Sequence, residues 1–196
     1  MKTLLFNPFK KYSERPLLIF GLITSIAGVV IATLTNTRFD GVLDTHFAKE
    51  VSLTTAGLES LCNLFSIVLV FFILGKFINS KTRFIDILNL ALIVKIPAYF
   101  LTPLNYNNWI HTKTFHLMDT LGNPLIPNLS PTDLLILIGV GAASLVVLTW
   151  FIIVLYNGFK IATNLKTTAH KVLFVVGIIT AEIISKILIN QFVLKV

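Results

Sequence analysis

Five long apolar runs, residues 16–35, 56–77, 85–104, 134–156 and 172–192, are separated along this chain by polar stretches. Each is close to the ~20 residues that an α-helix needs to cross about 30 Å of hydrocarbon. That layer holds no water, so each run must satisfy its own backbone N–H and C=O groups, and a helix does so. The pattern predicts an all-α, polytopic membrane protein, a bundle of five transmembrane helices. Residues 1–15 read as a cytoplasmic or interfacial N-terminal segment and residues 16–196 as a single transmembrane domain. The connection 36–55 is predicted to be external and polar, with room for a short helix over 44–49. The longest connection, 105–131, is entered through Tyr99, Tyr106 and Trp109, an interfacial aromatic belt. Gly122, Pro124 and Pro127 argue against regular structure within it. It closes on Ser130-Pro131-Thr132-Asp133, where serine can cap, proline suits the first helical position and aspartate complements the dipole.

Charge sets the orientation. Hydrophobic residues make up 55% of the chain and charged ones 13%, leaving no room for a soluble domain. The net charge of +7 is unevenly placed. Lys2, Lys10, Lys11 and Arg15 precede the first run, Lys76, Lys81 and Arg83 follow the second, and Lys160, Lys166 and Lys171 follow the fourth. The opposite ends hold only Arg38, Lys49, Lys113 and Lys195. This is the positive-inside pattern, predicting a cytoplasmic N-terminus and an external C-terminus. Lys76, Lys81, Arg83, Lys160 and Lys166 then form a cytoplasmic basic surface facing anionic lipid headgroups or an acidic partner. Nucleic acid is not the expected partner. Leu4, Leu5, Phe6, Phe9 and Tyr12, mixed with Lys10 and Lys11, suit an interfacial segment. Cys62 is the only cysteine, so no intramolecular disulfide forms.

Four charges fall within the apolar runs: Glu59, Lys95, Glu182 and Lys186. A charge at such depth costs several kcal/mol unless it is paired, neutralised or wetted. Counting ~1.5 Å per residue from the cytoplasmic ends puts Lys95 and Glu182 roughly 15 Å deep, with Glu59 and Lys186 roughly 20–24 Å deep. Equal depths predict a cluster pairing Lys95 with Glu182 and Glu59 with Lys186, with Asn63 and Ser66 extending the Glu59 face. Glu182 and Lys186 also share a helix face at i, i+4. Gly177, Ala181 and Ser185 form a stripe suited to close helix contact, and Pro97 predicts a kink. An internal network that fixes helix register and an ion or proton path both fit this cluster.

Motifs of catalysis are absent: no Gly-x-Ser-x-Gly elbow, no phosphate loop and no paired glutamate and histidine of a metalloprotease. His111, His116 and Asp119 match no usual zinc spacing, and the loop histidines read as solvated. The sequence predicts a non-enzyme with no metal and no cofactor.

Several local patterns carry a family likeness. They are Asn7-Pro8-Phe9 with Arg15-Pro16, Gly75-Lys76 with Lys81-Thr82-Arg83-Phe84, Lys95-Ile96-Pro97, and Tyr156-Asn157-Gly158-Phe159-Lys160 through Lys171. With these turns and five spans, the chain resembles the prokaryotic branch of the Yip family (Ypt/Rab-interacting five-span membrane proteins). The resemblance implies a non-enzymatic protein of membrane organisation or trafficking-type partner binding, in the cell (cytoplasmic) membrane. Eukaryotic members carry a long cytosolic N-terminal region with an Asp-Leu-Tyr-Gly-Pro stretch. Here that stretch is absent, so binding of Rab-type GTPases is not carried over. A homo-oligomer or a membrane-protein partner is expected. The rival reading is a small transporter or channel built on the charge cluster.

Overall fold

The structure, a computed structural model, describes residues 5–122 and 129–193. Lys2, Leu4, Pro124, Pro127 and Lys195 lie outside the described residues. Among the described residues, the α-helices run in the order α1 (Glu14–Leu34), α2 (Leu53–Ile78), α3 (Phe84–Val94), α4 (Ile96–Tyr99), α5 (Trp109–Gly122), α6 (Pro131–Thr163) and α7 (Thr168–Phe192). Four of them, α1, α2, α6 and α7, are each long and apolar enough to cross a membrane. The third apolar run is broken. Phe84–Tyr99 and Thr102–Leu121 pass the same test only together, and they meet at 48°.

Local chemistry accounts for these limits. Ser52, Ser130 and Thr167 each accept a backbone N–H in the first turn, from Thr55, Asp133 and His170 at 3.0, 3.1 and 3.2 Å. Such caps satisfy donors that a helix start leaves orphaned. α6 begins at Pro131, where the sequence predicts it. The break between α3 and α4 falls at Lys95. Pro97 two residues later has no N–H to return to Ile93, so the ladder is interrupted there.

α2 packs most extensively along α7, α1 against α3, and α3 against α6. Gly177 permits the first contact: a Cβ there would stand 2.5 Å from the Leu74 side chain, with Phe71 beyond. Phe71, Phe159 and Phe174 fill the centre, with ring centroids 5.1–5.8 Å apart.

Three segments differ from the sequence expectation. Residues 44–49 form no helix. Thr37–Arg38 (β1) instead pairs antiparallel with His46–Phe47 (β2), in register Thr37 with Phe47 and Arg38 with His46. The described part of the connection after the third run is also not irregular, since α5 occupies 14 of its residues. Gly122 ends that helix rather than preventing it. Finally, the N-terminal segment is docked rather than simply interfacial. Trp150 Nε1 donates to the Leu5 carbonyl at 2.8 Å and Asn157 Nδ2 to the Phe6 carbonyl at 2.9 Å, both from α6. Pro8 is buried and Phe9 packs against the main core.

Candidate functional site

The β1–β2 hairpin is not a solvated loop: its residues 38–43 enter one end of the bundle, and the charges within the apolar runs bind it. Glu59 and Asn63, both fully buried, take hold of the first strand. Glu59 forms an ion pair with Arg38, whose Nε lies 2.6 Å from Oε1, and its Oε2 accepts the Phe39 N–H at 2.9 Å. Asn63 Nδ2 donates to the Phe39 carbonyl at 2.6 Å. At the tip, Lys95 Nζ donates to the Val42 carbonyl at 3.0 Å and reaches the Gly41 carbonyl at 3.4 Å. It also stands 5.3 Å from the centroid of the Phe39 ring, a cation–π contact.

α7 grips the other side of the tip. Ser185 Oγ accepts the Val42 N–H at 3.1 Å and Glu182 Oε2 the Leu43 N–H at 2.8 Å. Lys186 pairs with Asp44 and lies 3.4 Å from Glu182 Oε1. The pairing expected from depth is therefore corrected. Glu59 takes Arg38 rather than Lys186, and Lys95 takes two carbonyls rather than Glu182. The physical reason is that an unpaired backbone inserted into the bundle must have its polar groups met. The charges do so, two acids accepting N–H groups and one cation capping carbonyls. A Cβ at Gly41 would run into the Glu182 carboxylate and push it from the Leu43 N–H, so the smallest residue suits the tip.

A second layer fastens the hairpin from outside. Asn36, at φ 50°, opens the hairpin, and asparagine tolerates that left-handed turn. Its Oδ1 accepts the Val51 N–H at 2.9 Å and its Nδ2 donates to Asn108 at 2.8 Å. Asn108 donates to the Lys49 carbonyl at 2.9 Å, and Asn105 to the Thr35 carbonyl at 2.8 Å. His111 Nδ1 lies 3.1 Å from the Phe47 carbonyl. His46 Nδ1 lies 3.0 Å from Asp40 Oδ1, at ion-pair distance. Neither histidine is simply solvated. The contact with Asp40 raises the His46 imidazole above its usual pKa, against burial. Burial pushes the Asp40 carboxyl up, but His46 and Arg38 outweigh it and hold Asp40 below its usual value.

The predicted basic surface is placed less uniformly. Lys81, Lys160 and Lys166 are exposed. Lys76 donates to the Ser80 carbonyl at 2.9 Å, closing the turn after α2. Arg83 is held by Asp86, at 2.7 Å, and by Glu14, at 3.0 Å. Among the described residues, no group of three or more His, Cys, Asp or Glu could hold a metal ion.

Sequence reasoning missed Arg38, Phe39, Gly41, Asp44 and the Asn36–Asn105–Asn108 group. The usable signals were a charge and a glycine within a few residues of a span end, facing four buried charges in need of partners. Compared with known proteins, the chain matches no family model, and no characterised protein or solved structure matches it.

Proposed function

We propose that this chain is a five-span, non-enzymatic protein of the cell (cytoplasmic) membrane, similar to the Yip family, that acts in membrane organisation or trafficking-type partner binding. Its N-terminus is cytoplasmic and its C-terminus external, by the distribution of lysine and arginine. The observation that carries this reading is the occupation of the polar core by the protein's own hairpin. Lys95 is 5% exposed, Glu59, Asn63 and Ser185 are fully buried, and all four bond to residues 38–43. A transporter needs such groups open to water from one side. A scaffold needs them satisfied and still.

The partner surface under this reading is the outer half of α6. No residue from 131 to 148 is buried, and Gly139 and Gly141 have no neighbouring atom within 4 Å of where a Cβ would stand. Small residues on a bare span let a second helix approach closely, which suits a second copy.

The test is a cysteine scan in the Cys62→Ser background, at Ser66, Val94 and Ser185, with a membrane-impermeant thiol reagent applied from each side. Silence at all three sites, with loop controls at Lys49 and Lys81 reacting, is the expected result. Labelling at Val94 or Ser185 from one side would reveal an aqueous crevice and replace the scaffold by a transporter.

A further inference from the structure

At the inner end, two cavities adjoin beneath the docked N-terminal segment. The first, of 520 Å³, is walled by Leu17, Phe20, Ile93, Pro97, Phe100 and Trp150, among other apolar residues. The second, of 450 Å³, is lined in part by Glu14, Arg83, Asp86 and Asn89. Both volumes fall within the range of about 300–1,000 Å³ common for small-molecule sites. Tyr12 and Leu17 line both, so the apolar and polar spaces are neighbours across one short stretch of chain.

The charges that line the polar space do not balance. Two carboxylates, Glu14 and Asp86, face a single guanidinium, Arg83, which leaves one negative charge in excess. Asn89 is 2% exposed, and its Nδ2 donates to the Glu14 carbonyl at 3.0 Å. That bond fixes the amide's orientation and leaves Oδ1 with no hydrogen-bond partner. Glu14 Oε2 stands 3.0 Å from Arg83 Nη2 but makes no aligned hydrogen bond. A buried acceptor without a donor is costly, and native structures rarely leave one so.

We infer that these paired cavities form a site for one amphiphile, a lipid with a primary ammonium head and an acyl tail. The ammonium supplies the missing positive charge and N–H donors to Glu14, Asp86 and Asn89, and the tail lies in the apolar cavity against Trp150. A choline head has the charge but no N–H, and an anionic head adds to the excess. Both fit less well. This site is separate from the hairpin and does not depend on the scaffold reading.

The test uses the full chain with Trp109→Phe, leaving Trp150 as the single tryptophan, in nanodiscs where a minority lipid carries bromine on its tail. Quenching of Trp150 fluorescence then reports tail occupancy. Brominated phosphatidylethanolamine should quench about two- to fivefold more effectively than brominated phosphatidylcholine or phosphatidylglycerol, the range of a part-exposed ion pair. Glu14→Gln with Asp86→Asn should remove the preference while both polar side chains keep their shape, and unchanged melting shows that the fold persists. Equal quenching by all three lipids would mean ordinary boundary lipid only. A preference for phosphatidylglycerol, or one that survives the double substitution, would equally overturn the site.

Discussion

The two ends of this bundle are closed by segments of similar size held in opposite ways. At one end, external under the proposed orientation, the hairpin is bound by acidic and basic side chains of the spans, Glu59 and Lys95 buried and Glu182 partly so. At the other end, cytoplasmic under that orientation, the N-terminal segment is bound by neutral donors on one face of α6, Trp150 and Asn157, and by the wedged ring of Phe9. Charge-assisted hydrogen bonds are roughly twice as strong as neutral ones, and their loss leaves an uncompensated ion behind. The outer closure is therefore expected to be rigid and unforgiving. The inner one is expected to open at modest cost, and it is the one that covers two cavities.

The sharpest way to break the contrast is Glu59→Gln. Arg38 would lose its counter-ion while still drawn into the bundle, and the Phe39 N–H would lose an anionic acceptor. Removing one partner of a buried pair costs about 3–5 kcal/mol. A large fall in melting temperature in detergent is expected, with new labelling of a cysteine at Ser66. A variant that melts like the parent would show that the hairpin is not held as described. Next in size is Gly41→Val, which drives a branched side chain against the Glu182 carboxylate. Overpacking of this kind costs about 1–3 kcal/mol. The expected sign is faster hydrogen exchange across residues 38–47, with the inner segment unchanged.

The inner end should respond less. Trp150→Phe keeps the ring beside Phe6 but removes the N–H that reaches Leu5. One neutral hydrogen bond contributes about 0.5–1.5 kcal/mol. Hydrogen exchange over residues 5–12 should rise about three- to tenfold with little change in global melting. A global loss as large as that of Glu59→Gln would erase the distinction between the two ends.

This contrast also marks what could be read from the sequence. The apolar runs and the cap at Ser130-Pro131 were legible because burial in hydrocarbon leaves a one-dimensional trace. So was the need of Glu59, Lys95, Glu182 and Lys186 for partners. The partners themselves were not. Pairing by depth assumes that helices satisfy each other, whereas here the partners are backbone groups, and the side chains of Arg38 and Asp44, in a segment that hydropathy assigns to solvent. A backbone carbonyl at Val42 carries no signal in the identity of valine. The hydrogen bonds that dock the N-terminal segment were hidden for the same reason, since they use the backbone carbonyls of Leu5 and Phe6.

The smallest expected effect tests whether the outer closure extends to its exposed rim. His46 on β2 and Asp40, two residues past β1, tie the hairpin to its turn, with side chains 48% and 29% exposed, so the pair contributes only about 0–1 kcal/mol. The contribution of His46, whose pKa is raised on folding, is complete below the unfolded value of about 6.5 and is lost as pH rises through the folded value. The contribution of Asp40, whose pKa is lowered, is complete above about 3.9 and is lost as pH falls through its folded value. Hairpin protection should therefore be greatest between about pH 4 and 6.5 and should decline slightly toward pH 8. Intrinsic exchange chemistry has to be divided out, and His46→Gln supplies the reference because it cannot titrate. A decline that vanishes in His46→Gln would assign it to the rim pair. A decline of the same size in both proteins would show that it arises elsewhere and that the rim pair contributes nothing to the closure.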